Sequence, residues 1–191
     1  MEFDTSLVIF SGPPFTGKTT IAKELSNGSN FAHLDCDSYR YEILGHSRVI
    51  PVEQDIAITM ESYNRMHQDA LTIIRNGKPV VLSGTYWRQS YKPSLRHLLD
   101  SITSPTIVFE LRATDLDVQS RIKARDESSL SDVRTFDQYT EYKHGFDPIS
   151  FSPRIFLDTS RSLEDTMKEV FGHLSRNVNN ANNRLGNSQT A

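Results

Sequence analysis

Short apolar runs recur along the chain, LVIF at 7–10, PVVL at 79–82 and TIVFEL at 106–111, and none alternates strictly between apolar and polar residues. Unbroken runs of this length fit strands covered on both faces, as in a parallel sheet. The pattern predicts strands near 6–11, 31–36, 79–83, 105–111 and 154–158. Helical spacing fills the intervals near 18–27, 53–76, 92–101, 115–125 and 162–175. Strand and helix therefore alternate, which predicts an α/β fold of three layers around a five-stranded parallel sheet. Residues 1–175 form the expected domain. The last stretch, SRNVNNANNRLGNSQTA, is rich in asparagine and nearly free of apolar residues, so 176–191 is expected to be a disordered tail.

The first strand runs into SGPPFTGKTT, in which Gly12, Gly17, Lys18 and Thr19 satisfy G-x-x-x-x-G-K-[ST] between a strand and a helix. That is a phosphate-binding P-loop in its proper context. Residues Gly12, Pro13, Pro14, Phe15, Thr16, Gly17, Lys18, Thr19 and Thr20 are the expected ATP-binding set. The glycines let successive N–H groups point inward, and the helix start adds its own free N–H groups and positive dipole end. Lys18 should reach the β and γ phosphates and Thr19 should hold Mg²⁺.

Composition narrows the setting. The chain has 191 residues, a formal charge of -3 and a single cysteine, Cys36. A chain of this size needs one core only, and no intramolecular disulfide is possible. The mild negative charge gives no global attraction to a polyanion. With an acidic start and no long apolar run, a cytoplasmic location without membrane association is expected, and no obligate protein partner is inferred. The histidines are scattered without ligand spacing, so no zinc site is expected.

In parallel sheets ligands bind beyond the carboxyl ends of the strands, which directs attention to the residues after each one. The second strand ends HLDCDSYR, where alternation predicts Asp35 and Asp37 on one side and Cys36 on the other. Asp37 is the expected base and Asp35 the expected Mg²⁺ helper; an N-cap role for Asp37 before SYRYEIL is the ordinary alternative. Arg40 is placed to clamp an anionic group on the acceptor, or to lie on the surface. After the third strand, Thr85, Tyr86, Trp87 and Arg88 are expected on the acceptor side, their aromatic faces stacking on a substrate ring, with packing the alternative for Trp87. Arg121 and Arg125, four apart ahead of a polar stretch, suggest a lid that brings cations to the transferring phosphoryl group; pairing with Asp117 or Asp126 is the alternative. Arg161, in DTSRS after the fifth strand, is expected near the adenine ring.

These motifs resemble those of the small P-loop kinase family with an AAA-type ATP-binding domain, which includes the kinase half of phage polynucleotide kinase, zeta toxins, chloramphenicol phosphotransferase and gluconokinase. SGPPFTGKTTIA is similar to its Walker A segment, HLDCDSYR to its acidic motif with an acceptor-site arginine, and RIKARDESSLSD to its lid. The third strand and the helix after it, NGKPVVLSGTYWRQSYKPSLR, are similar as well, and the likeness runs from about Leu7 to Leu174. It implies a nucleoside-monophosphate-kinase-like fold with a small helical lid, a base role for Asp37, phosphate binding by Lys18, Mg²⁺ binding by Thr19 and lid roles for Arg121 and Arg125. Ser83 stands where many members carry aspartate, and no Lys-Met sugar segment follows strand two.

Three functions follow from this reading. The leading one is an ATP- and Mg²⁺-dependent kinase acting on a hydroxyl of a small molecule. A polynucleotide or RNA 5'-hydroxyl kinase would use Arg40, Arg88 and Lys92 on phosphates and Trp87 under a base. A non-catalytic ATP-binding module or switch would couple lid closure to a partner.

Overall fold

The structure, a computed structural model, describes residues 3–45, 52–125, 130 and 132–186. Five strands, β1 (Leu7–Ser11), β2 (Ala32–Asp35), β3 (Val80–Ser83), β4 (Thr106–Arg112) and β5 (Arg154–Asp158), form one sheet in the order β2-β3-β1-β4-β5. Every pairing is parallel, with Leu7 beside both Val80 and Thr106. Central β1 is buried along its whole length, which explains why LVIF does not alternate.

Alternation survives inside the sheet, where it divides the core in two. Leu7, Ile9, Leu82 and Val108 face one side and pack on Tyr63, Met66 and Ala70 of α3 (Asp55–Arg75) and on Leu95 and Leu98 of α4 (Pro93–Asp100). Val8, Phe10, Val81 and Phe109 face the other, against Ile21 and Leu25 of α1 (Lys18–Asn27) and Met167 and Val170 of α7 (Leu163–Gly186). A third, smaller cluster joins Val118 of α5 (Asp115–Lys123) to Val133 and to Tyr139 of α6 (Phe136–His144).

Two helices depart from the expected pattern. The chain turns helical immediately after β2, as α2 (Cys36–Ile43), and α6 begins at a capping box in which Thr135 and Gln138 exchange side-chain and backbone hydrogen bonds. Helix α7 continues through Gly186, so 176–186, expected to lack structure, has helical backbone. Helix propagation is cheap once a packed segment has nucleated it, and Met167, Val170 and Leu174 supply that segment. Residues 187–191 of the expected tail, and the polar stretch 126–129 and 131 expected as a lid hinge, lie outside the described residues. Among the described residues no helix is long and apolar enough to cross a membrane.

Candidate active site

The P-loop connects β1 to α1, and its geometry explains its glycines. Gly12 has φ +141°, and a Cβ there would stand 2.6 Å from the Leu111 carbonyl oxygen, so β4 as well as the backbone conformation requires glycine. Gly17 occupies the left-handed region at φ 86° as the N-cap of α1, with no side chain capping the helix. The first N–H groups of α1 are thus left to a ligand. Phe15 also has positive φ, 62°. Thr16 Oγ1 donates to the Pro13 carbonyl at 2.9 Å and Lys18 Nζ to the same oxygen at 2.7 Å. Burial brings the Lys18 ammonium down to about 8, against the upward pull of Asp37 and Asp35.

A cavity of about 830 Å³ opens from this loop over the carboxyl ends of β2 and β3. Pro14, Phe15, Gly17, Lys18, Thr19 and Thr20 line one end, whereas Gly12, Pro13 and Thr16 do not reach it. Asp35, Asp37, Arg40, Thr85, Trp87 and Arg125 line the remainder. Arg88, Arg121 and Arg161 do not.

The carboxylates converge as expected, by a different route. Strand alternation does not run through Asp37, because β2 ends at Asp35 and Asp37 lies in the first turn of α2. Asp35 is the extended N-cap residue of α2, yet its side chain does not cap the helix. It accepts instead from Thr19 Oγ1 at 3.2 Å and from Ser83 Oγ. His33 Nε2 stands 2.9 Å from Ser83 Oγ, and burial, with Lys23 nearby, lowers this imidazole to about 4, leaving it neutral. Because Ser83 Oγ donates to Asp35, the His33 nitrogen must be the donor to Ser83, which fixes the tautomer. Thr19, Asp35 and Ser83 thus gather hard oxygen donors beside the P-loop, a set that suits Mg²⁺. Burial first, then the Asp35 charge, pushes the Asp37 carboxyl up from its ordinary range, with Arg40, Lys18 and Arg125 opposing. The Asp37 side chain nevertheless remains 36% exposed at the cavity surface. Water in the open cavity moderates that push, and a bound ligand displacing it would strengthen it.

The arginines are distributed otherwise than the sequence suggests. Arg40 is committed to carboxylates: Nη2 donates to Asp55 Oδ1 at 3.0 Å and to Asp132 Oδ2 at 2.6 Å, and Nη1 lies 3.7 Å from Asp37 Oδ1. It is not presented as an anion clamp. Arg121 reaches no cavity surface; its guanidinium donates to the Phe15 carbonyl at 2.9 Å, to Thr159 Oγ1 at 3.3 Å and to the Thr159 carbonyl. It ties the P-loop to the turn after β5. Arg125 does face the cavity, with its guanidinium 4.7 Å from the Phe15 ring centroid and a bond to the Val133 carbonyl. Arg161 is exposed and paired with Glu169.

The wall beyond β3 is built from inside. Tyr86, expected on the acceptor side, is instead fully buried and does not line the cavity; it takes φ 51°, a strained value for a bulky residue, and its N–H donates to Tyr63 Oη at 2.9 Å while its own hydroxyl meets His67 Nε2 at 2.9 Å. This fixes Thr85 and Trp87 on either side of it. Trp87 packs on Tyr142 at 4.6 Å between centroids, and its carbonyl accepts from Asp147 N at 3.0 Å. Arg88 lies over the Trp87 ring at 3.8 Å. Lys92 is buried on the Asp147 carboxylate and on the Asp147 and Pro148 carbonyls, so it cannot serve an incoming phosphate. Tyr91, Tyr142, Asp55 and Asp132 also line the cavity; of these only Asp132, at the end of RIKARDESSLSD, lies in a segment the sequence singles out.

A family model described as an AAA domain matches residues 7–148. Among curated proteins none matches the chain significantly. Solved structures of similar fold include a candidate kinase from Chloroflexus aurantiacus, with TM-score 0.71, 18% identity, and coverage of 90% of this chain and 99% of that one. A gluconokinase from Sinorhizobium meliloti gives TM-score 0.69 at 16% identity over 96% and 99% of the two chains. A sugar kinase from Janibacter gives 0.65 at 15% identity over 88% and 93%.

Proposed function

Since the chain belongs to the AAA domain family, and its fold is that of small P-loop kinases, we propose that it is an ATP- and Mg²⁺-dependent kinase transferring the γ-phosphoryl group to a hydroxyl of a small molecule. The observation that carries this reading is the position of Asp37, a cavity-facing carboxylate sharing one enclosure with Lys18 and Thr19. Its neighbours oppose one another: burial and Asp35 raise its basicity, while Lys18, Arg40 and Arg125 favour its charged form.

In this reaction an acceptor hydroxyl gives its proton to Asp37 as its oxygen bonds to the γ-phosphorus, and the bond from that phosphorus to the bridging oxygen of ATP breaks to release ADP. Lys18 and the N–H groups at the start of α1 hold the phosphates. Arg125 faces the same space and adds positive charge where negative charge spreads in the transition state. Thr19, Asp35 and Ser83 would hold Mg²⁺, which when bound shields the β and γ phosphates. His33 keeps the Ser83 hydroxyl directed at Asp35. Arg121 acts on the nucleotide through the P-loop that it braces.

The test is transfer of label from γ-labelled ATP to pooled hydroxyl compounds, with Asp37→Ala as control. The variant is expected to lose roughly 10²-fold or more in turnover while ATP affinity stays within a few fold. Tight ATP binding without transfer to any pool would overturn the kinase reading in favour of a nucleotide-binding module.

A further inference from the structure

The acceptor end of the cavity differs in charge from the phosphate end. Among the described residues that line it, Asp37, Glu42, Asp55, Asp69 and Asp132 are acidic, against two basic residues, Arg40 and Arg125. The layering sharpens this difference. Arg40 is only 14% exposed, beneath Asp37, Asp55 and Asp132, whose side chains are 36%, 38% and 36% exposed. An incoming molecule meets the carboxylates first. Two guanidiniums, Arg40 and Arg125, stand against five carboxylates, so this end stays net negative, and each carboxylate has more lone pairs than Arg40 can fill. Beside them stands an aromatic wall of Trp87, Tyr142 and Tyr91, suited to the apolar face of a ring, with Arg88 already over Trp87.

We propose that the phosphate acceptor is a cationic polyhydroxy compound, an amino sugar or amino alcohol, whose ammonium group is received between Asp55 and Asp132 while a hydroxyl reaches Asp37. The proposal rests on the kinase reading for its reaction, and on the cavity alone for its charge. An anionic acceptor would have to strip Arg40 from partners at 3.0 and 2.6 Å or approach a net negative surface. Burial pushes the Asp132 carboxyl up, with Arg40 opposing and Asp37 and Asp55 adding to the push.

Trp87 is the sole tryptophan of the chain and lines the cavity, so its fluorescence reports occupancy directly. Titration at pH 7 with glucosamine, glucose and gluconate compares six-carbon polyhydroxy compounds, the first two cyclic and gluconate open-chain, in three charge states. Glucosamine is expected to bind at least about tenfold more tightly than gluconate, with glucose between them and the advantage shrinking as salt rises. In the Asp55→Asn/Asp132→Asn double variant the difference should collapse to within about threefold while ATP affinity is unchanged. Gluconate binding as well as glucosamine, an order that survives the double substitution, or no saturable glucosamine binding would each overturn the proposal. Label transfer from ATP in the same mixtures separates the two readings. Glucosamine bound without transfer counts against the kinase and leaves the charge assignment standing, whereas preferential transfer to gluconate does the reverse.

Discussion

Replacing Tyr63 with phenylalanine removes one oxygen and tests how the acceptor wall is held. That oxygen accepts the Tyr86 N–H at 2.9 Å, and both residues are buried, at 1% and 0% exposure. Phenylalanine fills the same space, so no cavity term enters and the cost is that of a buried donor left without a partner. Such a group costs about 1–3 kcal/mol. At roughly 2–4 °C per kcal/mol for a chain of this size, the melting temperature should fall by about 2–12 °C. Because Tyr86 holds a positive φ that its surroundings must enforce, the loss should also loosen Thr85 and Trp87. The assay is urea unfolding followed by Trp87 emission, together with ATP binding. ATP affinity should stay within about threefold, since Tyr63 is not in the P-loop, whereas Trp87 quenching by external iodide should increase. A stability change below about 0.5 kcal/mol with unaltered quenching would refute the assignment of Tyr63 as the support of this wall.

Three further substitutions probe other parts of the molecule. Gly12→Ala sets a methyl 2.6 Å from the Leu111 carbonyl at a φ of +141°, and should cost about 1–3 kcal/mol in stability and at least about tenfold in ATP affinity, read by calorimetry. Arg121→Ala cuts the brace between Phe15 and Thr159; thermal unfolding should show a loss of about 1–3 kcal/mol, and nucleotide binding should weaken even though the side chain never faces the cavity. His67 is held by burial at a pKa of about 3, below its ordinary 6.5, so the unfolded chain takes up a proton that the folded one refuses. Stability is therefore lost as pH falls below about 6.5, by about 2 kcal/mol at pH 5, and His67→Gln should remove that share of the difference between urea midpoints at pH 7 and pH 5.

The sheet was legible because each strand is a compact apolar run bounded by polar residues, and the P-loop because its chemistry is confined to consecutive positions. Asp35 and Asp37 were legible as a pair, although strand alternation is not what pairs them: the chain turns helical at Cys36, and the first turn of α2 carries Asp37 to the cavity. Helices α2 and α6 are short and lie where local pattern is weakest, yet T-F-D-Q at 135–138 is a capping-box signature that marks the start of the second. Spacing placed Arg121 and Arg125 on one helix face, but α5 ends at Lys123, so Arg125 leaves the helix and faces the cavity while Arg121 grips backbone carbonyls. Asp55, Asp132 and Tyr142 reach the site from three distant stretches, and only tertiary packing brings them together.

The division of the core by β1 has a bearing on descent. Leu7 and Ile9 bind the sheet to α3 and α4, whereas Val8 and Phe10 bind it to α1 and α7. The P-loop therefore opens onto a helix of one layer, while α3, which brings Asp55 and Thr59 to the cavity, belongs to the other. Mutations that resculpt the second layer, at Asp55, Thr59, Thr85 or Trp87, need not disturb the packing beneath the P-loop. One wall of the cavity can therefore be rebuilt while the loop at its other end keeps its support, because the two layers share a sheet without sharing a core.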